Sequence, residues 1–258
     1  MGSLFYKEFM AEQIIWSADL DWPSLREVID SRILPPGTVI KLDRLFFEKN
    51  PKEIITYIQD AGYYVFVDAK IIEIPDKVIA ITEIYLEYRP WMINIMAGAC
   101  STGKVTADNP KHVDTMKRFA DDCAKVGTKS CAVTVLTSKS EEMCCKEFYF
   151  DSETQVLKYV DLMTECGLTD IVCSPKEAAA IRKNMKYDGL CINTPGVRLA
   201  DTSADDQQRI MTPYLALENG SDRLVIGRNL TEGEGEIVDR IRRNYYERII
   251  VDIRGEDY

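Results

Sequence analysis

A single histidine, His112, stands among 258 residues, and that scarcity removes much chemistry. Ser–His and Cys–His mechanisms need an imidazole base, and here one imidazole is on offer. His112 falls in the polar run Asn109-Pro110-Lys111-His112, which reads as the start of a helix rather than as a catalytic loop. Cys-x-x-Cys pairs are also missing, so the eight cysteines and one histidine spell no zinc site. No apolar run approaches the ~20 residues of a membrane span, and the N-terminal stretch lacks a signal peptide's apolar core. Basic residues are in deficit, 32 Lys and Arg against 42 Asp and Glu, for a net charge of −10. That balance argues against a nucleic-acid binder or a protein of anionic membranes. It leaves room for an anionic small molecule, which needs only a local basic pocket. Cysteines without a disulfide framework, several in apolar strand-like runs (Cys131, Cys173, Cys191), read as reduced core filler. A cytoplasmic protein is expected.

What is present is a regular alternation of short apolar runs and amphipathic segments. Strands are expected at 13–19, 38–43, 65–74, 91–96, 130–137, 170–173, 190–193 and 223–227. Helices are expected at 24–31, 51–61, 75–88, 110–126, 153–166, 175–183, 205–218 and 235–246. Eight strand–helix units with near-continuous apolar strands point to an α/β protein, a (β/α)8 TIM barrel, with a doubly wound sheet as the alternative. No linker or low-complexity tract interrupts the rhythm. One domain over 1–258 is therefore expected, with residues 1–12 as a short N-terminal extension.

The most informative stretch is Val65-Phe66-Val67-Asp68-Ala69-Lys70-Ile71-Ile72-Glu73-Ile74-Pro75. Its front half is β-branched and aromatic, as in a buried strand. Its back half sets three charges where that strand ends, with Asp68 and Lys70 on one face by the two-residue period. Such charges are costly unless paired or used. A structural ion pair with a solvated Glu73 is the plain alternative. A barrel gathers its strand ends into one mouth, and polar groups recur there: Asp19, Lys41, Asp43, Asp68, Lys70, Glu73 and Ser138. After the last two strands come Thr194-Pro195-Gly196-Val197-Arg198 and Gly227-Arg228. Two guanidiniums can grip a phosphate, and glycine lets backbone N–H groups approach it.

These residues carry a resemblance to the orotidine 5′-monophosphate decarboxylase family that covers nearly the whole chain. Its most specific passages are VFVDAKIIEIP (65–75), AVTVLTS (132–138) followed by Glu141-Glu142-Met143, and VCSPKE (172–177). To these add TPGVR (194–198), DDQQR (205–209) and LVIGRNLT (224–231). The resemblance implies a (β/α)8 barrel, a cofactor-free and metal-free lyase of UMP biosynthesis, and a homodimer with shared active sites. It also implies roles. Asp19 and Lys41 would contact the ribose, Asp68 would face the substrate carboxylate, and Lys70 would protonate the carbon that loses CO₂. Ser138 would bind the pyrimidine edge, while Gln207, Arg198, Gly227 and Arg228 would hold the phosphate under a lid formed by 199–207.

The sequence departs from the family pattern Asp-x-Lys-x-x-Asp-Ile-Pro-x-Thr, placing Glu73 at the second Asp and Lys77 at the Thr. These two positions would reach the partner subunit's site, Glu73 in the catalytic charge network and Lys77 at the ribose. Ile72 and Met96 stand where histidines are usual, and Asp43 where glycine is. The changes cluster at the reacting end and spare the phosphate grip. Three readings stay open: a divergent decarboxylase, a paralogue acting on another phosphorylated nucleotide or sugar (as decarboxylase or hydrolase), and a non-catalytic nucleotide-binding protein.

Overall fold

The computed structural model describes residues 12–43, 50–100, 110–199 and 210–255. Eight parallel strands close into a barrel in chain order. They are β1 (Ile14–Ser17), β2 (Val39–Leu42), β3 (Tyr64–Ile71) and β4 (Met92–Met96). β5 (Lys129–Val133), β6 (Asp170–Val172), β7 (Cys191–Thr194) and β8 (Arg223–Ile226) complete it. β8 pairs back onto β1, so no edge strand is left open.

Helices follow the strands: α1 (Trp22–Ser31), α2 (Pro51–Asp60), α3 (Pro75–Leu86) and α4 (Pro110–Lys125). After β5 come α5 (Glu141–Phe148) and α6 (Ser152–Glu165), then α7 (Pro175–Arg182) after β6. α8 (Pro213–Glu218) precedes β8, and α9 (Arg228–Thr231) and α10 (Ile237–Arg242) follow it. Local chemistry fixes their starts. Asp21 accepts from Ser24 N and Asp151 from Thr154 N, and Ser174 with Glu177 forms a reciprocal capping box. Proline opens α2, α3, α4, α7 and α8, where its missing N–H costs nothing.

Differences from the expected elements have local causes. Helix α5 was not expected; Ser140 caps it by accepting from Met143 N, but it buries only Cys144 and so shows little apolar period. The strand expected to run to 137 stops at Val133, where the chain turns out to build the mouth. The helix expected from 205 is seen as Pro213–Glu218, residues 200–209 lying outside the described set, as do residues 1–11 of the expected N-terminal extension. The last helix runs on past Tyr246, through a π-helical stretch (Arg243–Ile249) to Ile253. His112 is fully buried in α4, not on a polar surface, and burial lowers its pKa. All eight cysteines are free thiols, but Cys145 is exposed and so is no core filler.

The core has two layers. The larger lies between strands and helices and includes Trp16, Leu42, Val67, Ile95, Phe119 and Ile226. The smaller fills the barrel itself with Ile15, Val39, Phe66, Met92, Cys131 and Val225. Because strand side chains alternate, the residues two positions further along, Ser17, Lys41, Asp68, Asn94, Val133 and Gly227, form the next layer up. Thus an apolar ring becomes the floor of the mouth. Among the described residues, no helix is long and apolar enough to cross a membrane.

Candidate active site

A cavity of about 370 Å³ opens at the carboxyl ends of the strands, within the size range of small-ligand sites. Of the residues expected to form a site, it is lined by Asp19, Lys41, Asp68, Lys70, Ser138, Arg198, Gly227 and Arg228. Glu73 and Lys77 are not brought into it. Both are exposed, Glu73 on the turn after β3 and Lys77 in the first turn of α3, flanked by the exposed Ile72 and Ile74. Met96 packs against the outer core instead of the cavity. Gln207 lies outside the described residues.

The centre of the cavity is a charge network around Asp68, whose side chain is 4% exposed. Its Oδ2 pairs with the ammonium of Lys41 and lies 2.6 Å from Lys70 Nζ. Its Oδ1 accepts from Asn94 Nδ2 at 2.6 Å. Burial alone would push this carboxyl up, but the Lys41 and Lys70 charges and their hydrogen bonds hold it down at about 2. The group is therefore an anion at any ordinary pH, and the network carries one net positive charge. Lys70 is reached by an unusual route. Its φ is +42°, in the left-handed region that side chains avoid, and the β3–β4 register slips between Val67 and Ile71. The two-residue period put Asp68 and Lys70 on one face; the contact is made through this irregularity rather than by a flat strand.

The far wall is built by the last two strands. Gly196 turns with φ +74° after β7, and Arg198 N donates to Met211 O while Met211 N donates to Gly196 O, which pins the arginine's backbone. Arg198 is buried and Arg228 is exposed, both on the cavity. Gly227 allows a close approach: a Cβ there would sit 3.3 Å from Ser17 Cβ, tighter than most real contacts, so Ser17 would have to give way. Asp19, Ser17 and Asp43 form the near wall, and the Ser17 hydroxyl donates to Asp19 Oδ1 at 3.4 Å. Asp43 Oδ1 is buried with no hydrogen-bond partner among the described residues.

Sequence reasoning overlooked Asn94. An amide inside the run Met92-Ile93-Asn94-Ile95-Met96, 1% exposed, was the available signal, since a polar side chain in a buried strand needs partners. It also overlooked the apolar lining by Phe66, Val133, Val135, Val172 and Val225, which gives the cavity apolar surface beside its charges.

Comparison with known proteins gives a consistent result. The sequence model described as "Orotidine 5'-phosphate decarboxylase / HUMPS family" matches residues 14–241. The orotidine 5′-phosphate decarboxylase of Laribacter hongkongensis is 32% identical over 215 residues, covering 83% of this chain and 84% of its own. That of Dictyoglomus thermophilum is 32% identical over 231 residues, covering 86% and 91%. That of Staphylococcus saprophyticus is 35% identical over 197 residues, covering 75% and 80%. Among solved structures, orotidine 5′-phosphate decarboxylase from Lactobacillus acidophilus superposes with a TM-score of 0.71 at 25% identity, covering 93% of this chain and 98% of that one. An uncharacterized conserved protein from Geobacillus kaustophilus, 23% identical with a TM-score of 0.69, shares the fold. A match along almost the whole barrel, joined to relatives above 30% identity over most of their length, places this chain in the orotidine 5′-phosphate decarboxylase / HUMPS family.

Proposed function

We propose that the protein decarboxylates a pyrimidine nucleoside 5′-monophosphate of the orotidine type, without a metal or organic cofactor. The observation that carries this reading is the buried Asp68 carboxylate held between two ammonium groups, facing a cavity whose opposite wall presents Arg198 and Arg228. The arginines take the phosphate, and Asp19 with Lys41 takes the ribose. Phosphate binding then presses the base's carboxylate toward Asp68. Like charges at that contact favour loss of the carboxylate as neutral CO₂. The C–C bond breaks, its electron pair stays on the ring carbon, and the Lys70 ammonium stabilises that carbanion. Lys70 then transfers its proton to the carbon, and water restores the ammonium. Ser138, exposed at the rim, is placed to meet a polar edge of the base.

In this reading the protein is a cytoplasmic homodimer. The exposed Ile72 and Ile74 beside Glu73 and Lys77 support it: an apolar face there would be covered in a dimer, carrying both charges toward the partner's cavity.

A second reading, a relative acting on a different phosphorylated nucleotide or sugar, draws on Asp43. An unpaired buried carboxylate oxygen in the cavity wall asks for a hydrogen-bond donor from the ligand. The deciding experiment follows the ultraviolet absorbance of orotidine 5′-monophosphate in the presence of the purified protein, alongside titration with uridine 5′-monophosphate. Turnover that disappears in Lys70→Ala establishes the first reading. Binding of uridine 5′-monophosphate without turnover favours the second, and Asp43→Gly should then shift which phosphorylated compounds bind.

A further inference from the structure

The Asp68–Lys70 pair is not held by strand pairing, and something else must fix it. Across β3 and β4, Val67 is partnered with Ile93 and Ile71 with Ile95. The chain therefore takes four steps along β3 for two along β4, leaving residues 68 to 70 bulged away from the ladder. The residue opposite that bulge is Asn94, which is itself in register with Cys131 of β5. Its side chain takes over the missing ladder bonds. Lys70 N donates to Asn94 Oδ1 at 2.7 Å, and Asn94 Nδ2 donates to Asp68 Oδ1 at 2.6 Å.

We infer that Asn94 is a positioning residue that sets the catalytic pair, clamping the Asp68 carboxylate with its amide nitrogen and the left-handed Lys70 backbone with its amide oxygen. A primary amide is suited to this task, because it offers a donor and an acceptor from one rigid plane. An ionised carboxylate at the same place could accept from Lys70 but not donate to Asp68; an apolar side chain could do neither. The left-handed φ at Lys70 is costly for a non-glycine residue and persists only where the surroundings over-determine it. Here the Asn94 amide oxygen holds the Lys70 backbone while its nitrogen holds the Asp68 carboxylate that pairs with the Lys70 ammonium. Through these bonds a neutral side chain in the cavity wall decides where that ammonium stands. The inference rests on the decarboxylase reading for its kinetic arm alone.

Two variants test it. Asn94→Ala removes both bonds, and Asn94→Asp keeps the shape and the acceptor while removing the donor. The first readout is amide hydrogen exchange in the free protein, which needs no substrate. In Asn94→Ala the Lys70 amide should exchange at least about 10-fold faster, while Val67 and Ile93, paired across the ladder, stay as protected as in the wild type. An unchanged Lys70 rate would overturn the inference whatever the protein turns over. The second readout is kinetic, with orotidine 5′-monophosphate. Asn94→Ala should lower kcat by about 100-fold, the cost of misplacing a reacting group by roughly 1 Å, with KM within about 3-fold. Asn94→Asp should be equally poor at neutral pH but recover as the pH falls, because the protonated acid can again donate to Asp68. The charged groups facing position 94 are Asp68 and Lys70 from β3 and Lys41 from β2; Asp68, held at about 2, stays ionised through that range. A residue that only fills space would leave Asn94→Asp close to wild type and without that recovery, and this too would overturn the inference. If the wild type turns over no orotidine 5′-monophosphate, the decarboxylase reading fails and the exchange experiment alone judges Asn94.

Discussion

At the amino-terminal end of the barrel, Arg223 Nη1 donates to Asp170 Oδ1 at 2.7 Å, under the same apolar ring that carries Lys41 and Asp68 on its other side. Asp170 opens β6 and is 1% exposed; Thr169 Oγ1 donates to its Oδ2 at 2.7 Å and Asn193 Nδ2 to its Oδ1 at 3.2 Å. The guanidinium also touches Cys191 and lies over the Trp91 ring. Removing one partner of such a pair leaves a buried charge uncompensated. Arg223→Met should cost about 3–5 kcal/mol in urea unfolding, with affinity for uridine 5′-monophosphate in the surviving folded protein unchanged.

The carboxyl of Asp68 gives the protein a specific acid sensitivity. Its folded pKa, about 2, lies below the ordinary 3.8, so ionised Asp68 favours the folded state. That contribution, on the order of 2 kcal/mol, is complete above pH 4 and is lost as the pH falls toward 2. The unfolding midpoint of the wild type should therefore drop more steeply between pH 4 and 2 than that of Asp68→Asn. Parallel curves would show that Lys41 and Lys70 do not hold the carboxylate in solution.

Lys70→Ala and Arg228→Ala should separate chemistry from binding. On the proposed reading the first removes the proton donor, so turnover should fall by about 10²–10⁴-fold while uridine 5′-monophosphate still binds. On the same reading the second removes a charge-assisted hydrogen bond to phosphate, and affinity for the same nucleotide should weaken by about 2–3 kcal/mol. Uridine, which has no phosphate, should bind both proteins alike; isothermal titration reads all four ligand–protein pairs.

If Glu73 acts across a dimer interface, two inactive variants should repair each other. Lys70→Ala and Glu73→Ala, unfolded together and refolded as a mixture, would form mixed dimers with one intact site each. Random pairing then gives roughly a quarter of wild-type activity. A mixture as inactive as its parents would place Glu73 outside the partner's site.

Turning Glu73 and Lys77 back to the family's residues probes the divergence itself. Glu73→Asp with Lys77→Thr should raise orotidine 5′-monophosphate turnover if this centre has drifted from a faster one, because one methylene moves a carboxylate by about 1 Å. No gain would speak for a site rebuilt around Asp43 for another ligand.

Much of the barrel was legible because β-branched runs such as Val65-Phe66-Val67 and glycine stops at Gly62, Gly127 and Gly167 are local signals. The charged strand ends were legible for the same reason: a barrel converts sequence position at a strand's end into a place in the mouth. Besides Asn94 and the apolar lining, three things were not. Helix α5 buries a single residue and so leaves no periodic trace. Gly227 looked like a phosphate-approach glycine, whereas its lack of a side chain also answers to Ser17, a neighbour that only barrel closure supplies. The two-for-four mismatch of β3 and β4 needed the pairing itself, since nothing in Asp68-Ala69-Lys70 announces a left-handed lysine.

The ring of Ile15, Val39, Phe66, Met92, Cys131 and Val225 separates the ion pair of Asp170 and Arg223 from the network of Lys41, Asp68 and Lys70. Substitutions on its two sides, being distant and without common partners, should add in their effects. The lower compartment, with Asp170 and Arg223, secures the closed fold without lining the ligand cavity. A barrel partitioned in this way keeps part of its folding energy apart from its ligand, so the changes at Asp43, Glu73 and Lys77 on the upper side leave that anchor in place.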